Sequence, residues 1–275
     1  MKKLLCALLA VMLFAGTVYA EGWTIGVLAK LNTSEEQFSK IIEENGKNGL
    51  SLKFSSVVPV PVGSFKFYDS LMSLLMALNA GEVNEIQLPE DVAEYVLNVN
   101  DSYKISSITR MTSNLYLSIG FRAGESPDLR NSFNEALMSM KADGTISILQ
   151  AKYISEAGID APEPVKFDHY DNVKKTIKVA VTGDMPPIDF VAPDGVPAGF
   201  NTAVLAEIGK RLKINIELIN INSAARASAL ASGRVDAVFW FTVRKDSSNP
   251  LDVPENITLS EPYYSWNEIL SLVKK

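Results

Sequence analysis

Side chains suited to covalent or metal chemistry are scarce in this chain. It has one cysteine, Cys6, and one histidine, His169. A metal site needs several ligands close together, and a serine nucleophile needs a histidine base beside it. Cys6 lies in a segment that we expect to be removed, and His169 lies in a polar stretch typical of a solvated linker. We therefore expect no metal, no cofactor and no enzyme, and the remaining candidates are arginines, carboxylates and hydroxyls that hold ligands by charge.

A repeated motif predicts how the chain positions such groups. Residues 77–86 and 229–238 both read Ala-Leu-x-small-Gly-x-Val-Asn/Asp-x-apolar. In each, an apolar-periodic helix runs into a glycine, which supplies the left-handed residue that ends a helix, and a β-type run follows. Because this unit occurs twice, we expect two similar α/β lobes with a ligand-binding cleft between them.

The N-terminus has the pattern of a secretory signal. Lys2 and Lys3 precede an apolar run over 4–15, and Val18-Tyr19-Ala20 has the small-x-small form of a cleavage site. The apolar run is too short to span a membrane. We expect cleavage after Ala20 and an unanchored protein in the periplasm.

The charge of the chain argues against nucleic acid as a partner. It has 26 basic and 32 acidic residues, so loss of Lys2 and Lys3 takes the net charge from −6 to −8. Phosphate binding needs a basic face. A single arginine can still hold a small anionic ligand, because a local charge outweighs the overall field.

The pattern of elements divides the mature chain into four parts. Residues 21–117 alternate β-type runs with helical patterns, which favours an α/β lobe with a mostly parallel sheet. Residues 118–154 contain a strand and then apolar residues at helical spacing. Residues 155–173 lack periodicity and have the composition of a linker. Residues 174–275 return to the α/β pattern.

Individual elements follow from the same periodicity. The expected strands are 24–28, 50–58, 85–88, 118–122, 177–181, 214–219, 235–241, 257–264 and 269–273. One expected helix begins at a capping box formed by Thr33 and Glu36. The other expected helices cover 70–79, with Asp69 as the cap, and 89–97, 129–140, 145–153, 202–212 and 223–232.

Several motifs together carry a family resemblance. They are Met185-Pro186-Pro187, Gly199-Phe200-Asn201, Ala206-Glu207-Ile208-Gly209, Ala229-Leu230 through Asp236-Ala237, Leu259-Ser260-Glu261-Pro262-Tyr263-Tyr264, and Phe121-Arg122-Ala123-Gly124 through Gly144-Thr145. The chain resembles the type II periplasmic solute-binding proteins of the polar amino acid ABC transporters, which are the bacterial extracellular solute-binding proteins of family 3. The resemblance implies a two-lobed Venus flytrap fold, with each lobe a mostly parallel sheet flanked by helices.

The order of the segments differs from that family. Residues 177–275 resemble its opening segment, 23–117 its second lobe and 118–154 its closing segment, so the opening segment comes last here. The resemblance implies a circular permutant whose linker 155–173 joins the old termini, with one connection between lobes near 117–120. The alternative is a fragment of a tandem protein that pairs between chains.

The resemblance also implies a binding site between the lobes. Arg244 corresponds to the arginine that clamps a ligand carboxylate, and a guanidinium can do so with two parallel hydrogen bonds. Thr242 would add a hydroxyl. The helix from Ser223 would offer free N–H groups, and Arg226 is either a second anion contact or a solvated helix residue. The apolar walls would come from Met185, Phe190, Trp240 and Phe241.

The residues expected on the other side of the site match the family pattern less well. In the family, the loop that corresponds to Asn32 and Thr33 contacts the carboxylate, and an aspartate after the strand 85–88 holds the amine. Here Pro89 stands at that point, so Glu90 or Asp184 is left to neutralise an amine. The expected function is capture of a small carboxylate-bearing solute, such as an amino acid, by a monomer that delivers it to an ABC permease. The alternatives are a ligand-binding signalling module and a periplasmic dehydratase-like enzyme.

Overall fold

The computed structural model describes residues 23–28, 64–124, 127–156, 162–173, 175–192, 194–222, 225–244 and 256–275, with the backbone alone for 107–114 and for 244. The strands are β1 (Thr24–Leu28), β2 (Ser64–Tyr68), β3 (Glu85–Pro89), β4 (Tyr103–Arg122), β5 (Thr176–Val181), β6 (Asp184–Met185), β7 (Asp189–Val191), β8 (Pro197–Ala198), β9 (Asn215–Asn220), β10 (Ala237–Arg244), β11 (Ile257–Leu259) and β12 (Tyr264–Lys274). The helices are α1 (Leu71–Ala80), α2 (Glu90–Val99), α3 (Pro127–Ala142), α4 (Thr145–Gln150), α5 (Gly199–Leu212) and α6 (Arg226–Ala231), with a π-helical turn at Ala151–Ser155.

A nine-stranded mixed sheet forms the centre of the molecule, in the order β2-β1-β3-β12-β4-β10-β5-β9, with β11 beside β4. The outer strands form two parallel triplets, β2-β1-β3 and β10-β5-β9. Between them lie β12 and β4, which pair antiparallel with each other and with the neighbouring triplets. The expected α/β fold class is therefore confirmed, and the parallel arrangement expected for each lobe is found in each triplet.

Two long strands join the two halves of the sheet. β4 contains 20 residues, and β12 pairs with it from Tyr264↔Leu117 at one end to Lys274↔Tyr103 at the other. The sequence predicted only the last part of β4, because residues 103–117 lack apolar alternation, and it predicted a single connection near 117–120. The expectation of a single connection is wrong, because β4 and β12 run side by side from one half of the sheet to the other. We call this paired region the junction.

The repeated motif forms the same turn in both halves. Gly81 ends α1 and precedes β3, and Gly233 follows α6 and precedes β10. Both glycines have a positive φ, 74° and 75°, which is the left-handed conformation that glycine adopts without steric cost. The predicted helix–glycine–strand unit is confirmed at both places.

The Asn/Asp position of the motif has a role that its sequence did not reveal. The Asn84 side chain accepts a hydrogen bond from the Thr24 backbone N–H at 2.7 Å, and the Asp236 side chain accepts one from the Lys178 N–H at 2.9 Å. The backbone N–H groups of Asn84 and Asp236 in turn donate to the carbonyls of Thr24 and Lys178. Each short polar side chain therefore fastens the start of β3 or β10 to the adjacent parallel strand.

Segment 127–155 packs against α5 on one side of the sheet. Phe133 of α3 meets Phe121 of β4 edge-on, with ring centroids 5.3 Å apart. Arg211 of α5 bonds three residues of the α3–α4 region and one of its own helix: Ser139 at 2.7 Å, Asp143 at 2.8 Å, Thr145 at 2.9 Å and Glu207 at 3.0 Å. Side-chain contacts therefore hold α3 and α4 against a helix that lies far away in sequence.

The predicted linker is described from residue 162 to 173. It has no regular structure apart from an isolated bridge between Pro164 and Ala198, and the Tyr170 N–H donates to the Asn215 side chain at 2.8 Å. His169 is exposed, as expected, beside Asp171. The domain boundaries themselves stay a prediction.

Smaller differences have local causes. Ser70, not Asp69, caps α1, because its hydroxyl accepts from the Ser73 N–H in a reciprocal capping box. The strand Ser64–Tyr68 was not expected. The strand 50–58 and the helix at Thr33 lie outside the described residues. None of the helices within the described ranges is long and apolar enough to cross a membrane.

Candidate functional site

Three of the predicted ligand-binding residues, Asp184, Thr242 and Arg244, lie at or just after the ends of the parallel strands β5 and β10. β5 leads into Thr182 and Asp184, and β10 ends with Thr242 and Arg244. Carboxyl ends of neighbouring parallel strands meet at one edge of a sheet, which is where α/β proteins place ligands. Phe190, on β7, pairs with Asp184 in a small hairpin beside this edge.

A buried carboxylate that the sequence did not single out lies at this edge. Asp189 is 1% exposed, and one of its oxygens accepts from the Thr182 N–H at 3.0 Å, the Thr182 hydroxyl at 2.8 Å and the Trp240 indole N–H at 2.9 Å. These three donors tie the loop after β5 to β10. The signal in the sequence was an acid inside the apolar run Pro187-Ile188-Asp189-Phe190, where a solvated aspartate is unusual.

Arg226 is not a solvated helix residue, so that reading is wrong. It is 3% exposed, its Nη1 donates to the Trp240 carbonyl at 2.7 Å, and its guanidinium lies 5.2 Å from the Trp240 ring and 5.7 Å from the Phe241 ring. Burial lowers the pKa of Arg226 to about 10, and the nearby charge of Asp189 opposes this shift. Arg226 is thus a buried cation whose charge is offset by Asp189.

The predicted apolar walls are mostly core in this structure. Met185 and Trp240 have no exposed surface, and Phe241 is buried. A β-bulge between Phe239 and Phe241 explains why two successive side chains, Phe239 and Trp240, enter the same core while Phe241 packs into a second cluster. Phe190 alone of the four is partly exposed.

The structure describes the side chain of Thr242 but only the backbone of Arg244. Thr242 is buried, and its hydroxyl has no hydrogen-bond partner among the described residues. Arg244 is described through its backbone, which pairs with Leu115 of β4, and Leu115 pairs in turn with Trp266 of β12. The backbone of Arg244 therefore lies about two strand spacings, roughly 10 Å, from that of Trp266 at the junction of the two halves.

Two acids at the start of α2, in the other half of the molecule, contact β12 at the junction. Glu90 accepts from the Asn267 N–H at 3.0 Å. Asp91, which the sequence did not single out, accepts from the Tyr264 hydroxyl at 2.5 Å and from the Trp266 indole at 3.1 Å. The first turn of α2 is thereby fastened to β12.

The environment of Asp91 makes it hard to ionise. It is 8% exposed, and burial raises its pKa to about 6; Glu90 and Glu94 also raise it, whereas the bonds from Tyr264 and Trp266 lower it. The bond to Asp91 and burial likewise raise the pKa of Tyr264.

A groove of about 370 Å³ opens beside these acids. It is lined by the start of α2, by Tyr116 of β4, and by residues of three other segments: Lys141, Gln150 with Ile154 and Ser155, and Pro262 to Ser265 with Asn267. Lys141 donates to the Pro262 carbonyl. Solvent therefore reaches Asp91 although most of its surface is covered.

The remaining predicted residues are not brought into this arrangement by the described coordinates. Asn32, Thr33 and Ser223 lie outside the described residues, and Asp184 is partly exposed on β6. Within the ranges that are described, no group of three or more histidine, cysteine or acidic side chains is placed to hold a metal ion.

Comparison with known families gives one match. Residues 177–275 match the model of the bacterial extracellular solute-binding proteins, family 3. The matched segment contains nearly all of β5, then β6 to β9, α5, α6 and β10 to β12, and with them Asp189, Arg226, Trp240, Thr242 and Arg244. A search of curated proteins gives no match.

Several solved structures align with most of the chain. One is the ligand-binding component of an ABC-type import system from Staphylococcus aureus with zinc bound, with 11% identity, a TM-score of 0.45 and 92% of this chain covered. Another is the binding-protein component of an ABC phosphonate transporter from Pseudomonas aeruginosa, with 12% identity, a TM-score of 0.47 and 91% covered. A third is the periplasmic aliphatic sulphonate-binding protein of Escherichia coli, with 11% identity, a TM-score of 0.40 and 92% covered. The chain spans 65%, 68% and 64% of their respective lengths.

Proposed function

We propose that this protein is an exported solute-binding protein that captures a small carboxylate-bearing solute, such as an amino acid, between two lobes and delivers it to an ABC permease. The observation that carries the proposal is the match of 177–275 to the model of the family-3 solute-binding proteins. The fold is consistent with this function, because β4 and β12 join two α/β halves and could act as a hinge between them.

Arg244 is the proposed carboxylate clamp. Its strand ends at the junction edge, and Thr242, two residues earlier, has a hydroxyl that no described residue engages. Arg226 is an unsuitable substitute, because it is buried beneath Trp240 and bonded to that residue's carbonyl. We therefore assign the anion to Arg244 and Thr242, not to Arg226.

The amine of an amino acid would be held by an acid of the opposite half or of the β6–β7 hairpin. Glu90 lies at the junction on α2, and Asp184 lies on β6. Asp189 is a poor candidate because its bonded oxygen is occupied by three donors and the residue is almost fully buried. We propose Glu90 or Asp184 for this role.

The chain order supports a circular permutation. Segment 118–154 precedes the matched segment, yet α3 and α4 pack against α5 through Arg211 and against the sheet through Phe133. We propose that residues 155–173 join the ancestral termini, that the protein is a monomer, and that residues 1–20 direct it to the periplasm.

A thermal-shift screen of amino acids, other carboxylates and small amines tests the function. A solute at about 100 times its dissociation constant stabilises a protein by roughly 2.7 kcal/mol. Calorimetry with the best solute then compares wild type with Arg244→Ala. We expect a loss of roughly 2–5 kcal/mol of binding free energy, because the partner charge is left unpaired.

Arg234→Ala is the matched control. Arg234 is exposed just before the opposite end of β10, so its removal should leave affinity unchanged. If Arg244→Ala binds like wild type, the clamp is wrongly assigned. If no solute from the three classes shifts the melting temperature, the capture function itself is contradicted.

A further inference from the structure

A chain of contacts crosses the junction from α2 to the candidate binding edge. Asp91 accepts from the Trp266 indole at 3.1 Å. The Trp266 ring meets the Trp240 ring edge-on, with centroids 5.8 Å apart and planes at 84°. Trp240 donates to Asp189 at 2.9 Å, and Asp189 holds Thr182. This Asp91–Trp266–Trp240–Asp189 chain joins one half of the molecule to the other.

Every member of the chain is held in one orientation. Trp240 and Trp266 have no exposed surface, so their rings cannot turn without displacing core residues. The Trp240 carbonyl also accepts a hydrogen bond from Arg226. Tyr264, two residues before Trp266, donates to the same Asp91 oxygen as the Trp266 indole does. A change at Asp91 is therefore passed to Trp240 through packed rings.

Trp240 lies two residues before Thr242 on β10, and Arg244 follows on the same strand. A displacement of the Trp240 ring moves the strand end that we propose holds the solute. The far end of the chain, Thr182, lies on the neighbouring strand end of the same edge.

We infer that Asp91 is a positioning residue whose protonation tightens the junction and, through Trp266 and Trp240, sets the orientation of the solute-binding edge. The inference deepens the proposed function by naming its regulation. The groove beside Asp91 gives solvent protons access to the carboxyl group. A carboxylate would accept the bonds from Tyr264 and Trp266 more strongly, but loss of the proton also places a charge in a site that is largely shielded from water. The cost of burying that charge is the larger effect, so loss of the proton favours separation of α2 from β12.

Five titratable groups lie near Asp91 or line the groove beside it. They are Glu90 and Glu94 on α2, Tyr264 on β12, Tyr116 on β4 and Lys141 across the groove. The two glutamates oppose the charged form. We therefore expect α2 to be held more tightly against β12 at pH 5 than at pH 7.5.

Fluorine NMR of protein labelled with 5-fluorotryptophan tests the inference without any solute. The chain has three tryptophans, Trp23, Trp240 and Trp266, so each resonance is assigned by a Trp→Phe variant. We expect the Trp266 and Trp240 resonances to shift together between pH 4.5 and 8 with a midpoint near 6, the pKa of Asp91. Trp23, on the edge of β1, should not follow them.

Two variants make the outcome specific. Asp91→Asn should abolish both shifts, and Glu94→Gln, which removes one opposing charge, should lower the common midpoint without abolishing it. A titration confined to Trp266 would overturn the relay to Trp240, and persistence of both shifts in Asp91→Asn would overturn the role of Asp91. Because no solute is present, these results stand apart from failure of the capture function, which the thermal-shift screen decides.

Discussion

Arg226 offers the sharpest test of how the binding edge is built. Sequence reasoning allowed it to be an anion contact, whereas the structure buries it at 3% exposure beneath Trp240, near an Asp189 that is 1% exposed. Replacing Arg226 with methionine removes a buried cation, the 2.7 Å bond to the Trp240 carbonyl, and the charge that offsets Asp189. Removing one partner from a buried charge pair typically costs roughly 3–5 kcal/mol.

Urea denaturation followed by circular dichroism measures the loss. We expect Arg226→Met to lower the free energy of unfolding by about 3–5 kcal/mol. The double variant Arg226→Met, Asp189→Asn should lose less than the two single variants together, because it removes the second charge as well. Arg234→Met, an exposed arginine on the turn after the same helix, should change stability by no more than about 0.5 kcal/mol.

The ligand-contact hypothesis makes the opposite prediction. An arginine that faces the cleft could be replaced at little cost in stability and a large cost in affinity. If Arg226→Met unfolds like the Arg234→Met control and binds the screened solute weakly, the assignment of Arg226 to the interior is refuted.

Three further predictions concern pH, the α3–α5 contact and export. The pKa of Asp91 is about 6 in the folded protein, against an ordinary value of 3.8 for an aspartate in water. Its contribution to stability is therefore present below about pH 4 and is lost as pH rises through 6. The difference is about 3 kcal/mol, and urea titrations should show a flatter pH profile in Asp91→Asn. Arg211→Ala should lower stability by roughly 1–2 kcal/mol through its lost hydrogen bonds, while Lys210→Ala, an exposed neighbour, should not; equal melting temperatures would contradict this contact. N-terminal sequencing of the exported protein should begin at Glu21, and a retained Met1 would disprove the signal.

Local signals in the sequence were sufficient for elements with strong periodicity or clear caps. The two glycine turns, α5 and β5 fall close to where the pattern placed them, because each combines an apolar period with an end signal. β4 was largely missed since 105–114 is rich in serine and threonine. Those residues form a strand because β12 pairs with them along the junction, and a partner 160 residues away leaves no local signal.

The site was predicted in part for the same reason. The family resemblance pointed to β10 and its end, but it did not reveal Asp189 or Asp91. Each is an ordinary acid in the sequence, and becomes distinctive only when indole and hydroxyl donors from distant strands converge on it. Arg226 was likewise ambiguous, because a six-residue helix has too few positions to show which face is buried.

The contacts within each half of the sheet are compatible with the circular permutation that we propose. Each half fastens its own parallel triplet, by a glycine turn and an Asn84 or Asp236 side chain that bonds the adjacent strand. The α3–α4 region is held to α5 by Arg211, and to the sheet by Phe133. These contacts depend on which surfaces meet, not on which segment is made first. A chain whose elements are fastened locally tolerates new ends in a connection between them, provided that a segment such as 162–173 spans the old ones.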